Sequence, residues 1–444
     1  MTTESRHDVV IVGARCAGAT LATFLARAGA SVLLLDKDPL RSDQILSTHT
    51  IHPAGLDVLD DVGVGDAVRA VAPPTHIVRL RKNDAFVDIQ FPDQRAEYCP
   101  RRARLDGLLQ DAAASAGAEV LDRTRVTSVL RDGDRVIGVR ATGPTGQELL
   151  CRARLVVGAD GRHSTIARQV DADEYLAYDA PRAMYWGYWN APAFWHTDPA
   201  YPFGMYVANT GGHIRVIFQT DHDQLLIGSL PSVEDAMSWR TNPEEALVAD
   251  LASDATTGPL IAGTTPDGAV RGTLKERYFF RTAAGRGWTL VGDAGHHKEF
   301  VIGDGITEAL LQARDLAAAI AQGTDAALIR WWRARDVEAL PYFFLGQDEG
   351  ALGPPSELQQ VVFARAAKAP ALRARLAATI EHRLSPTETF PVRHVLWWAL
   401  VAAVRGSLRV LPEFIAQGKR GAGIDRELRL RRRLLAESEP LITS

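Results

Sequence analysis

Short unbroken apolar runs stand near the N-terminus, at residues 9–12 and again at 32–35. Between them Leu21, Phe24, Leu25 and Ala28 recur at helical spacing, and Gly29 stands where that helix would end. All-apolar runs of this length suit parallel strands buried on both faces. The intervening period suits an amphipathic helix closed by glycine. The same strand, glycine, helix succession returns at 155–157 before a helix from about Ser164, and in "GWTLVGDAGHH" before a long helix from about Gly305. A further helix is predicted over 105–116, ended by Gly117, with a hairpin turn at 132–134 after it. A different texture covers 184–192, 202–209, 213–220 and 224–230, which are strand-like and rich in aromatics. Alternation there puts Tyr185, Gly187 and Trp189 on one face and Trp186 and Tyr188 on the other. From Arg330 the chain reads as helical, with breaks at Pro354, Pro355, Pro386 and Pro391.

The first unit, "VVIVGARCAGATLATFLARAGASVLLLDKD", has the layout of a dinucleotide-binding βαβ turn. Gly13 makes the tight turn, and the small Ala17 and Gly18 let the helix lie close to the sheet with its amides toward a pyrophosphate. Asp36 follows Gly13 by 23 positions, near the roughly 20 expected of the acid that meets a ribose hydroxyl. The middle glycine of the fingerprint is replaced by Arg15. Its side chain must point away or fold over the phosphates as a counter-charge.

The 444 residues are 46% apolar, enough for two or three domains. A net charge of -4 gives no electrostatic footprint for nucleic acid. Cys16, Cys99 and Cys151 lie far apart without metal-ligand spacing, so no metal site is expected and a reduced, cytoplasmic chain is the simple reading. The polar start "MTTESRH" reads as no secretory leader, and no apolar run is long enough for a membrane span.

Three fingerprints in chain order carry a family resemblance: "GARCAG" from Gly13, "GADGRHST" from Gly158 and "GDAGHH" from Gly292, with "PRRARLD" from Pro100 between the first two. Over residues 6–335 the chain resembles the FAD-dependent monooxygenases of the aromatic-hydroxylase type (class A), and most closely a subgroup whose first loop reads GARCAG. In that subgroup Arg15 belongs to the loop. The resemblance implies an α/β fold with a Rossmann-like FAD-binding domain (1–75, 97–175 and 276–335), an antiparallel-sheet substrate domain (76–96 and 176–275) and a helical C-terminal region (336–444). It implies that Gly13, Arg15, Cys16, Ala17, Gly18, Asp36 and Lys37 surround the ADP half of FAD. Arg102 would lie beside the flavin, Asp160 and Gly161 would contact FAD, and Gly292 with Asp293 would bind the ribityl chain. Gly303, Gly305 and Ile306 would meet the flavin's pyrimidine end, with a positive helix terminus behind it. Two positions depart from the family pattern. Phe300 stands where a proline is usual and Asp304 where a glutamine is common, which would place a carboxylate near an anionic reduced flavin.

The resemblance further implies NADPH or NADH as reductant, O2 as co-substrate, a C4a-hydroperoxide on the flavin, and hydroxylation or epoxidation of an aromatic or polyketide-like molecule by a monomer or homodimer. Tyr185, Trp186, Trp189 and Tyr206 are the candidate substrate contacts, although each is as readily a core residue. His49, in "LSTHTIHPAGL", could orient a substrate hydroxyl or act as a base, or simply hold its loop. His297 matches the histidine of the "GDAxH" motif. A halogenase of this fold would carry W-x-W-x-I-P, which "WGYWNAP" does not match. A prenyl-chain reductase or a flavin-binding protein without turnover stays open. The apolar stretch 392–411, interrupted by Arg393, His394, Arg405 and Arg409, reads either as a membrane-surface helix or as one packed over the pocket or a dimer face. "RELRLRRRLLAE" at 426–437 reads as a solvated basic helix.

Overall fold

The computed structural model describes residues 2–42, 47 and 49–438. The first apolar run is the inner end of β1 (Thr2–Val12), which starts seven residues earlier than its apolar part. α1 (Cys16–Arg27) and β2 (Val32–Leu35) complete the opening unit, with Gly29 left-handed at φ +86° just past the helix. α2 (Pro53–Asp61) and α3 (Gly65–Val71) precede a hairpin of β3 (Ile77–Lys82) and β4 (Ala85–Gln90). The chain then returns through α4 (Arg102–Ser115), β5 (Glu119–Leu121), the hairpin β6 (Arg125–Asp132) and β7 (Arg135–Thr142), β8 (Glu148–Gly158) and α5 (Thr165–Gln169). α4 starts at Arg102 rather than Leu105, so that arginine sits on the first helical turn.

Five strands pair in parallel as β17 (Trp288–Leu290), β8, β1, β2 and β5, with the short β16 (Ala284–Gly285) antiparallel at one edge and β7 joining β8 antiparallel. β1 pairs with β8 over nearly its whole length, Val12 opposite Gly158. The turns that leave β1 and β8 are therefore neighbours. α1, α4 and α9 (Gly305–Ile320) cover one face, where Ile11, Leu21, Leu34, Leu105 and Leu310 are fully buried together.

β9 (Glu174–Asp179) leads to β10 (Met184–Asn190), β11 (Met205–Thr210), β12 (His213–Thr220) and β13 (Gln224–Leu230). With β14 (Arg271–Thr273) these form a second sheet in the order β14-β10-β13-β12-β11-β3-β4, antiparallel except where β11 runs parallel to β3. β9 instead joins β15 (Arg277–Arg281) and β18 (His296–His297) in a three-stranded sheet that links the two parts. One face of the second sheet packs on α6 (Val233–Trp239), α7 (Pro243–Ala252) and α8 (Gly258–Ile261). The other packs on Val301 and on α11 (Glu357–Ala366) and α12 (Pro370–Ile380), which follow the long α10 (Asp325–Glu349).

The tail is helical, but the stretch 392–411 is not one helix. α13 (Val392–Val404) ends at a left-handed Gly406, φ +103°, and α14 (Val410–Glu437) begins beyond it. The basic stretch at 426–437 is the second half of α14.

Candidate active site

The glycine loop after β1 is built by close approach. Gly13 has φ +106°, and a Cβ there would lie 2.3 Å from the Ala159 carbonyl oxygen of the neighbouring turn. A Cβ on Gly18 would fall 1.8 Å from the Gly13 oxygen. Arg15 carries no such constraint: its φ of -103° is open to any residue. Its guanidinium folds along the loop, 3.3 Å from Asp106 Oδ2 and 3.4 Å from Asp38 Oδ2. Lys37 pairs with the same Asp38 at 2.6 Å. Asp36 is buried and accepts from the amides of Ala14, 2.8 Å, and Asp38, 2.9 Å. It thus fixes the loop as well as lining the cleft. Cys16 points at Asp106, and burial pushes its thiol up to about 12. Ala17, on the first turn of α1, lies 3.1 Å from the place of a Cβ on Gly292, so the first and last motifs touch.

Arg102 grips Asp106 one helical turn on, at 2.9 and 3.1 Å. Asp160 is committed to local structure: it accepts from Ser164 Oγ and from the Thr165 amide at 2.6 Å, capping α5. Gly161 is left-handed with open space beside it. The Gly292 amide donates to Gln312 at 3.1 Å, and the half-buried Asp293 meets His297 Nδ1 at 3.3 Å. His297 also lies 3.5 Å from Glu276. Burial alone would lower this imidazole, but Asp293 and Glu276 raise it to about 9, so it is cationic at neutral pH. Gly303 is left-handed at φ +69°, and a Cβ on Gly305 would meet nothing within 4 Å. Ile306 is buried in the first turn of α9.

Asp304 stands at the N-cap of α9 in a buried charge cluster that the sequence did not disclose. Lys298 contacts Asp304 and Glu308 together. His382 lies 2.7 Å from Asp304 Oδ1, and His52 lies 4.0 Å from the same oxygen while meeting Glu97 at 2.6 Å. His296 reaches Glu308 at 3.2 Å. Burial would raise the Asp304 carboxyl, but His382, Lys298 and His52 hold it well below the usual carboxylate range. These partners come from four separate stretches of chain, so no spacing rule joins them. Phe300 packs edge-on to Tyr278, and the adjoining Glu299 is buried, its carboxyl raised by burial to about 7.

His49 is buried, left-handed at φ +65°, and hydrogen-bonded through Nε2 to Tyr188 of β10. Leu46 and Thr48 of its loop lie outside the described residues. Burial, reinforced by Arg102 and Arg101, lowers this imidazole to about 3. The expectation of a histidine titrating near neutral pH is therefore corrected: burial holds His49 neutral, with its Nε2 taken up by the Tyr188 hydroxyl. The Arg101 guanidinium lies 4.0 Å from the Tyr188 ring centroid. Trp186 and Tyr188 share the sheet face that packs toward Val301. Tyr185, Trp189 and Tyr206 lie on the opposite face, among Leu247, Leu251 and Leu260 of the helical layer. They are core residues there, and strand alternation alone could not say which face met which layer.

A cleft of 570 Å³ is lined by Gly13, Arg15, Asp36, Arg102, Asp160, Asp293, Gly303 and Gly305, and also by His297, Lys298 and Phe300. Its size falls within the roughly 300–1,000 Å³ usual for cofactor and ligand sites. The positive-φ glycines, the amides of two helix N-termini and the half-open Asp293 fit an extended dinucleotide with phosphates and hydroxyls. Among the described residues no group of three His, Cys, Asp or Glu side chains could hold a metal ion, and the three cysteines are buried and unpaired.

Comparison with known proteins matches residues 6–327 to the family described as FAD binding domain. A 12-dehydrotetracycline 5-monooxygenase/anhydrotetracycline 6-monooxygenase of Streptomyces rimosus is 32% identical over 38% of this chain and 33% of its own length. A digeranylgeranylglycerophospholipid reductase of Methanocella arvoryzae is 27% identical over 70% of this chain and 76% of its own. The fold is similar to the flavin-dependent brominase Bmp2, with a TM-score of 0.71 and 17% identity over 90% of this chain and 100% of that one. The matched stretch spans only 33–39% of the length of several curated relatives.

Proposed function

The chain belongs to the FAD-binding domain family, and from that premise we propose that it is an FAD-dependent monooxygenase. It would use NADPH or NADH and O2 to hydroxylate or epoxidise an aromatic or polyketide-like molecule. The observation that carries the reading is the cleft on which all three fingerprints converge. Gly13, Arg15, Gly18, Asp36 and Lys37 would hold the ADP half of FAD. Arg102, Gly161, Asp293, Gly303, Gly305 and Ile306 would hold the flavin half. FAD, when bound, supplies the electron transfer and the activation of oxygen.

The chain's own side chains position and shield. Tyr188, fixed by His49 and overlaid by Arg101, would orient a substrate hydroxyl only on a substrate that reaches β10. His297, cationic between Asp293 and Glu276, places positive charge on the cleft wall. α11 and α12 cover one face of the second sheet.

The test is anaerobic mixing of the FAD-loaded protein with NADPH and then NADH, following loss of the flavin's visible absorbance with candidate aromatic and polyketide compounds present. Bleaching accelerated by a compound supports the reading. No bleaching under any condition overturns it and shifts weight to a protein that only binds flavin or needs a separate reductase. The similarity to a prenyl-chain reductase over most of the chain supports a second reading, saturation of a carbon–carbon double bond. Product that forms without O2 would favour that alternative.

A further inference from the structure

Among the described residues, the helical C-terminal region leaves an apolar face of α13 uncovered. α13 packs its buried Ala399 and Ala402, with Val395 and Trp398, against Leu358 and Val362 of α11 and Val410 of α14. On its other side Val392, Leu396, Leu400 and Val404 follow one another at four-residue spacing. They are 70, 40, 43 and 90% exposed, and Trp397 beside them is 63% exposed. Leu408, 74% exposed, extends the surface past the break at Gly406. Single exposed apolar residues are ordinary. A contiguous stripe on one 13-residue helix marks an interaction surface. Arginines stand at its ends: Arg393 at the first, Arg405 and Arg409 at the second, all exposed. Among the described residues none of the three has a carboxylate at ion-pair distance.

We propose that this face docks on an anionic lipid surface, with α13 lying in the plane of the headgroups. An exposed apolar stripe ended by arginines, with a tryptophan at its margin, suits rest on lipid headgroups, the helix's other side being held by the protein. The arginine stems can lie along the apolar boundary while their heads reach phosphates. A second copy of the chain is the competing occupant. Pairing this face with itself would add the arginines of one copy to those of the other, whereas anionic headgroups neutralise them. Among the described residues no helix is long and apolar enough to cross a membrane, and α13 is placed to rest on one. The inference needs no flavin turnover and stands apart from the proposed activity.

The test is co-sedimentation of the full-length, FAD-loaded protein with vesicles of phosphatidylcholine alone and of an equal mixture with phosphatidylglycerol. Binding to the mixed vesicles and not to phosphatidylcholine is expected. Arg393→Gln/Arg405→Gln/Arg409→Gln should weaken it roughly tenfold or more, as should high salt. Leu400→Glu/Val404→Glu should abolish it while FAD content and melting temperature hold. No binding to the mixed vesicles, or equal binding to both kinds and no effect of the arginine triple variant, would overturn the proposal. So would a solution dimer that Leu400→Glu/Val404→Glu splits into monomers, which would give the face to a second copy.

Discussion

The imidazole of His382 lies 2.7 Å from Asp304 Oδ1, joining the C-terminal helical region to the N-terminus of α9 across 78 residues of sequence. Lys298 contacts the other carboxylate oxygen. An acid that reads in the sequence as a bare charge at the flavin edge is thus neutralised from two sides.

Asp304→Asn removes a negative charge from the cleft wall while leaving Lys298 paired with Glu308. An anionic reduced flavin should gain stability. A redox titration should find the two-electron potential of bound FAD raised by about 20–60 mV, equivalent to about 1–3 kcal/mol. His382→Ala strips the carboxylate of a partner and should shift the potential the other way. No shift in either variant would place the cluster out of electrostatic reach of the flavin.

Arg15→Gly restores the middle glycine of the dinucleotide fingerprint. The loop conformation should survive, since Arg15 occupies ordinary extended backbone. Its ion pairs are partly exposed, so the stability change should stay within about 1 kcal/mol. FAD affinity, read from the recovery of flavin fluorescence on dilution, should fall several-fold through loss of a cation on the cleft wall. Tighter binding in the glycine variant would show the arginine to be an obstacle rather than a counter-charge.

Glu299 is fully buried, accepts from Tyr278 at 3.0 Å, and has an Oε2 without a hydrogen-bond partner. Burial raises its carboxyl from 4.5 to about 7. The folded chain therefore keeps a proton between these values that the unfolded chain has released. This contribution to stability is present below 4.5 and lost as pH rises through 7. Glu299→Gln imitates the protonated form. Its melting temperature should match the parent in mild acid and exceed it at pH 8, by up to about 3 kcal/mol in stability. Identical pH profiles for the two proteins would refute the assignment.

Trp189→Ala should destabilise by about 3–5 kcal/mol in denaturant titrations, because the indole is 1% exposed where β10 packs on the helical layer. Whatever protein folds should keep its FAD. Tyr188→Phe removes one hydroxyl and should cost about 1 kcal/mol of stability. Its effect should appear in the substrate-accelerated rate of flavin reduction. If the two variants exchanged these phenotypes, the assignment of the sheet faces would be reversed.

Much of the glycine-lined cleft could be read from sequence because its information is local. Gly13, Gly18 and Asp36 lie within one βαβ unit, where turn, helix and strand are set by neighbours a few residues apart. The later fingerprints repeat that grammar, and the paired turns after β1 and β8 follow from a parallel register that brings Val12 opposite Gly158. The substrate side was less legible. Alternation separated Tyr185 and Trp189 from Trp186 and Tyr188, yet both faces of that sheet are buried, and composition does not distinguish a face packed on α7 from one packed on Val301.

The sequence by itself determined the family and the glycine turns that follow β1 and β8, since hydrophobic period and glycine position act over short stretches of chain. Only the tertiary structure decided the electrostatics. It brought Glu97, Lys298 and His382 into one buried cluster with Asp304, lowered His49 to about 3 and raised His297 to about 9. A titratable group answers to its burial and to charges a few ångströms away, whatever their distance along the chain. The uncovered face of α13 has the same origin: its apolar stripe is written in the sequence, but what covers each side is settled only when the helices pack.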